Sequence, residues 1–390
     1  MTARDDFDRR AAGIVDELRG AGQYKELRAI TGPMGPVATI GGREVIVLCS
    51  NDYLGLANHP DVVAAGIEGL ASHGAGTASV RFICGTLDVH DRLERAVAGL
   101  VGTPAALSFV SCWNANEALF PTVTAPGDTI VSDALNHASI IDAVRQTRGV
   151  DRKIYAHNDM AELEAALSSA DPSGLRWVVT DGVFSMEGDL APLPEIVRLC
   201  RAHDAVVVVD DSHGIGVLGA AGRGTPEHFG ILGEVDVVTG TLGKALGGAA
   251  GGFVAASERL IELLVQRARP SLFSNALPAT VACSATRAIE ILLAEPERVG
   301  RLRRNATRLR TGLRGLGFEC HDAESAIIPI VLGDAHKVEA ASARLFELGV
   351  LVVGFSYPVV PEGRARLRVQ ASTALEERHL DAVLEAFAKL

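Results

Sequence analysis

The chain has 390 residues, with 37 Lys+Arg against 48 Asp+Glu for a formal charge of −11, and 48% hydrophobic residues, a globular mixture that excludes wholesale disorder. An acidic chain without a Lys/Arg tract is a poor binder of nucleic acid or membrane surfaces, and no apolar run approaches the roughly 18–20 residues that span a bilayer. The first residues lack the apolar stretch of a secretory signal, and the six cysteines (49, 84, 112, 200, 283, 320) show no disulfide framework or zinc spacing, so a reduced, cytoplasmic protein without a metal is expected.

Residues 5–29 read as a polar amphipathic helix, followed by a turn at Thr31–Pro36 and a hairpin of Val37–Ile40 and Val45–Leu48 around Gly41-Gly42. From about 60 to 285, helical patterns alternate with short apolar runs: Ala105–Val110, Thr129–Val131, Trp177–Thr180, Val206–Val209 and Val235–Val238. Unbroken apolarity marks strands covered on both faces, so the expectation is an α/β fold with a mostly parallel central sheet and helices on both faces. A long helical stretch over 279–316 leads to strands Ala326–Leu332, Val350–Gly354 and Ala365–Val369, interleaved with helices 336–348 and 375–389. The expected organisation is an N-terminal segment 1–48, a large α/β domain 49–285 and a smaller α+β domain 286–390.

Ligands of such sheets sit beyond the carboxyl ends of the strands. Four valines lead into Asp210, with His213 three residues on, and the run Val235–Val238 delivers Thr241 and Lys244 among glycines, alanines and leucines. Lys244 is one of only five lysines, the remaining thirty-two cations being arginines. Taken singly, Asp210 reads as a cap, Lys244 as a solvated lysine and His137 as a helix-start histidine. Together they suggest pyridoxal 5'-phosphate, which needs a lysine for its aldimine, a carboxylate for its pyridine nitrogen and donors for its phosphate. The helix that opens at Ser111-Cys112-Trp113 and the Thr241 hydroxyl offer such donors, and His137 is placed to lie on the ring. A helix start can in principle lower the Cys112 thiol pKa.

The motifs Ser50-Asn51-Asp52-Tyr53-Leu54-Gly55, Ser79–Thr86, Asp181-Gly-Val-Phe-Ser185-Met-Glu-Gly-Asp189, Asp210-Asp211-Ser212-His213 and Thr239–Gly248 resemble the α-oxoamine synthases, fold-type I pyridoxal-phosphate transferases. The likeness runs from about residue 10 to the end and is greatest to members that join glycine to acetyl-CoA. It implies that Lys244 forms the internal aldimine and moves protons at Cα, that Asp210 pairs with the pyridinium nitrogen and that His137 stacks on the ring. Ser185 and His213 would contact the phenolic oxygen, and Ser111, Cys112, Trp113 and Thr241 the phosphate. Ser274 and Asn275 would reach that phosphate from the neighbouring subunit, implying a homodimer with shared active sites. Asn51 and Arg368 would face the amino acid, with Arg368 gripping its carboxylate. Ala75 and Thr77 stand where those members carry Phe and Met, and Trp113 and Glu117 where they carry Phe and Gly. The alternative is therefore a sibling with another acyl thioester or amino acid, such as one making 8-amino-7-oxononanoate.

Overall fold

In the computed structural model, which describes residues 2–390, the four valines form the strand Ala205–Asp210 at the centre of a seven-stranded sheet. The strand order is Ala105–Phe109, Gly252–Ala256, Val237–Thr241, Ala205–Asp210, Arg176–Asp181, Thr129–Asp133, Asp151–Tyr155. Six strands run the same way, and Gly252–Ala256 runs antiparallel to both of its neighbours. Val207, Val208 and Val209 are consecutive and all buried, which a strand achieves only when both of its faces are covered. The core joins Ile130, Val208, Val237 and Val254 from the sheet to Ala115, Leu119, Ile140 and Ala143 from two helices that follow strands.

Both helices begin on a side-chain cap. Ser111 Oγ accepts the Asn114 amide at 3.1 Å and opens Cys112–Val123. His137 Nδ1 accepts the Ser139 amide at 3.2 Å and opens Ala138–Arg145. Such caps satisfy amides that have no carbonyl one turn earlier, and they fix where each helix leaves its strand end.

Some elements depart from the sequence reading for local reasons. The first helix is Ala3–Gly20 and stops where Gly22 takes φ +63°, and it buries none of its residues. The stretch 279–316 is two helices, Ala279–Ala294 and Glu297–Gly315, parted at Pro296, whose ring lacks the amide a continuous helix would use. Asp151–Tyr155 is an edge strand of sequence DRKIY, whose charges hide it from an apolar-run criterion and also discourage further pairing.

The chain divides into two compact units. The larger holds Asn51–Arg304 and Ala323–Ala326, and the smaller holds the residues through Ser50, Asn305–Asp322 and Ile327–Leu390. Within the smaller unit, Val37–Ile40 and Arg43–Val47 form a hairpin about Gly41 and Gly42, both at positive φ, and Val350–Leu351 adds in parallel to Arg43–Val47. A three-stranded antiparallel sheet has Ala365–Gln370 between Ile327–Gly333 and Val353–Phe355. Among the described residues no helix is long and apolar enough to cross a membrane.

Ile130 has no exposed surface and packs in the central cluster. Ile130→Ala is expected to lose about 2–5 kcal/mol of stability, read as a lower urea midpoint with an unchanged slope.

Candidate active site

The parallel strands end on one side of the sheet, and there Asp181, Asp210 and Thr241 meet the start of the helix Cys112–Val123. They line a cavity of about 240 Å³. Of the residues singled out from the sequence, Ser111, Cys112, Trp113, His137 and Ser185 line it on one part of the chain. Asp210, His213, Thr241 and Lys244 line it on another. The helix start can come this close to the sheet because residue 252 is glycine: a Cβ there would stand 2.3 Å from the Cys112 nitrogen.

Asp210 is 4% exposed and yet held below the ordinary carboxylate pKa. Burial alone would raise it. Hydrogen bonding from Ser212, the Asn116 amide at 2.8 Å and the nearby Lys244 cation outweigh that penalty. Its neighbour Asp181, one strand away in register, has the opposite fate: burial and the Asp210 charge push it well above the carboxylate range. Cys112 Sγ lies 3.6 Å from Asp210 Oδ2, and burial, with that charge second, pushes the thiol up. The helix start therefore does not activate Cys112.

The His137 side chain lines the cavity from a residue that is exposed in the chain by itself, and its pKa is lowered, chiefly by desolvation of the ring. The Trp113 ring meets it edge-on at 6.1 Å between centroids. The indole Nε1 donates to Glu117 Oε1 at 3.0 Å, and Asn114 and Gln146 donate to the same carboxylate, so the tryptophan is held at the cavity wall. His213 Nδ1 is 2.8 Å from the buried Tyr53 hydroxyl, a contact that fixes one ring nitrogen.

Asn51, Ser274, Asn275 and Arg368 are not among the residues that line this cavity. Asn51 begins the larger unit, before Asp52, whose Oδ1 accepts the Leu56 and Ala57 amides and folds the turn. Ser274 and Asn275 follow the short helix Arg269–Phe273 and do not line the cavity. Arg368 belongs to the smaller unit, on the strand Ala365–Gln370, with its guanidinium 4.7 Å from the Phe355 ring centroid and 3.4 Å from Gln370 Oε1. The sequence reading gave no role to Asp181, Ser139, Ser212 or Asn116, although Asp181 and Ser212 stood inside quoted motifs and Ser139 and Asn116 within a few residues of His137 and Trp113.

The residues fit pyridoxal phosphate on chemistry alone. An ionised buried carboxylate, a lysine, a flat uncharged ring and helix-start amides beside a threonine hydroxyl surround one cavity. Among the described residues no cluster of three or more His, Cys, Asp or Glu is placed to hold a metal ion.

The chain belongs to the aminotransferase class I and II family, whose model matches residues 43–387, and within it to the α-oxoamine synthases. It is 45% identical to the 2-amino-3-ketobutyrate coenzyme A ligase of Escherichia coli K12 over 99% of this chain and 98% of the relative. It is also 44% identical to an 8-amino-7-oxononanoate synthase of Thermoanaerobacter pseudethanolicus, over 96% of this chain and 95% of the relative. Among solved structures, a serine palmitoyltransferase from S. paucimobilis with bound PLP–myriocin superposes with a TM-score of 0.93 at 32% identity, covering 100% of this chain and 98% of that one.

The loop that carries Ser185 is clamped from outside the cavity. His157 Nδ1 lies 3.1 Å from Asp133 and Nε2 lies 2.8 Å from Asp189, and its ring packs edge-on to Phe184. Burial lowers this imidazole, but the two carboxylates outweigh burial and hold its pKa up at about 10. A raised folded-state pKa stabilises fully below the unfolded value near 6.5, and the contribution fades as pH rises through about 10. His157→Gln is therefore expected to lower the urea midpoint at pH 6, with the gap from the parent closing by about pH 10.5. A gap independent of pH contradicts the clamp.

Proposed function

We propose that the protein is a pyridoxal-phosphate-dependent C-acyltransferase that interconverts glycine and acetyl-CoA with 2-amino-3-ketobutyrate and CoA, the cleavage direction serving threonine breakdown. The observation that carries this reading is the buried, ionised Asp210 sharing a cavity with Lys244, in a chain 45% identical from end to end to the Escherichia coli ligase.

Pyridoxal phosphate, when bound, supplies an electron sink for the negative charge left at glycine Cα. Ser111, Cys112 and Trp113 would hold its phosphate through the amides of the helix start, joined by the Thr241 hydroxyl. Asp210 would hold the protonated ring nitrogen, His137 would cover the ring face, and Ser185 and His213 would meet the phenolic oxygen. Lys244 would hold the cofactor at rest and then, as a free amine, take the proton from Cα. That carbon would then bond to the thioester carbonyl as the C–S bond breaks, and the departing thiolate would take up the proton that Lys244 removed, leaving as the CoA thiol. Arg368, assisted by Asn51, would grip the glycine carboxylate through two charge-assisted hydrogen bonds.

Ser274 and Asn275 are proposed to serve the partner subunit's phosphate site in a homodimer. Support comes from exposed apolar side chains beside them: Phe273 is 71%, Ile83 68% and Phe82 61% exposed. Such a patch is a natural protein interface. A second reading, a sibling enzyme with a longer acyl thioester, is favoured by the 44% identity to the 8-amino-7-oxononanoate synthase and by Ala75, Thr77, Trp113 and Glu117.

CoA release over a grid of amino acids and acyl-CoA thioesters separates the readings. Glycine with acetyl-CoA is expected to exceed every other pair by roughly tenfold or more in kcat/KM, a margin of about 1.4 kcal/mol. Another pair ahead by that margin would select the second reading. Lys244→Ala is expected to lower kcat by roughly a thousandfold or more while the protein stays folded.

A further inference from the structure

Asn116 has no part in the contacts proposed above for cofactor or substrate. It is 1% exposed, in the helix Cys112–Val123, and its side-chain nitrogen donates twice: to Asp210 Oδ2 at 2.8 Å and to Ser139 Oγ at 2.9 Å. A side-chain amide has two N–H donors, so both are committed, and the charge on Asp210 decides which way the amide faces. Ser139 Oγ, having accepted from Asn116, has its own hydrogen left to give, and it lies 2.7 Å from His137 Nδ1. The Ser139 backbone N–H points at the same nitrogen from 3.2 Å. Two donors converge on Nδ1, so Nδ1 is an acceptor and carries no proton. In the neutral ring the proton must then sit on Nε2.

We infer that Asn116 is a positioning residue: it fixes the Asp210 carboxylate and, through Ser139, locks His137 as the neutral Nε2–H tautomer. The consequence rests on the reading of this cavity as the reaction site. His137 offers a fixed uncharged N–H donor suited to a substrate carboxylate or carbonyl oxygen, and it does not act as a general acid. Protonating the ring would require Ser139 to turn its hydroxyl hydrogen away from Nδ1, while its backbone N–H would still face the new N–H.

The charged and titratable groups around the ring come from several elements. Asp210 ends a strand, Lys244 lies across the cavity, Cys112 stands at the helix start, and Asp181 Oδ2 accepts the His137 backbone N–H at 3.1 Å. None of these hydrogen-bonds to Nδ1, whose hydrogen-bond partners are the Ser139 hydroxyl and the Ser139 backbone N–H.

The test is a long-range proton–nitrogen NMR titration of histidine-labelled full-length protein, prepared without added substrate and with the cofactor removed. The His137 signals are identified by their loss in His137→Gln. The parent is expected to show the Nε2–H tautomer at neutral pH and a protonation midpoint below 6.5. Asn116→Ala frees Ser139 to accept, and Ser139→Ala removes the hydroxyl, so each is expected to raise the midpoint by about one pH unit. The double variant is expected to match the singles, as links of one relay must. An Nδ1–H tautomer in the parent, or an unmoved midpoint in folded Asn116→Ala, overturns the inference. Should Asn116→Ala fail to fold, the same unmoved midpoint in Ser139→Ala overturns it. A relay found intact in a protein that does not convert glycine with acetyl-CoA would overturn the proposed reaction and leave the relay standing.

Discussion

The chemistry proposed for this site asks a carboxylate with almost no exposed surface to stay charged, and the hydrogen bonds around Asp210 favour that state. Removing a lone carboxylate from water is costly enough that the group normally takes up a proton instead. Asp210 avoids this because hydrogen bonds from Ser212 and Asn116, with the cation at Lys244, favour the ionised form. Asp181, on the adjacent strand and similarly buried, lacks equal support and is pushed towards its protonated form. Two carboxyl groups a strand apart are thereby driven to opposite states, and only Asp210 is held as a negative charge at the cavity.

The next residue shows how closely the chain separates these environments. Asp211 points away from the cavity into a cage formed by Thr225 and three glycines. A Cβ at Gly182, Gly214 or Gly224 would come within 2.4, 2.0 or 1.9 Å of its oxygens. Burial raises its pKa to about 7, against the bonds from Thr225. Successive strand residues face opposite sides, so one Asp-Asp pair supplies a charge to the cavity and a cross-link to the loop beneath it.

Much of this was legible in the sequence because strand ends announce themselves. Four valines before Asp210 mark a buried strand, and the polar residue that ends such a run stands where ligands bind. Lys244 was conspicuous among small apolar neighbours, and the helix start at Ser111 followed from the strand before it. Asn116 was not legible: a polar residue one turn into a helix has many ordinary readings, and only the packing of that helix against the sheet brings it to Asp210. The antiparallel course of Gly252–Ala256 was likewise hidden, since a short apolar run does not encode its direction. Nor does any local signal pair Val350–Leu351 with Ile46 and Val47, some three hundred residues earlier. Charge on DRKIY concealed an edge strand, because periodicity reports burial, and an edge strand is only partly buried.

The central claim is that Asp210 is ionised in its dry surroundings before any ligand arrives. Carbon NMR of protein labelled at the aspartate carboxyl carbons, with the Asp210 signal identified by its loss in Asp210→Asn, reads that charge directly. The account predicts a carboxylate signal at pH 7 that persists as pH falls past the ordinary aspartate midpoint near 3.9 for as long as the fold survives. A signal that is already protonated at pH 7, or that titrates close to neutrality, would contradict it.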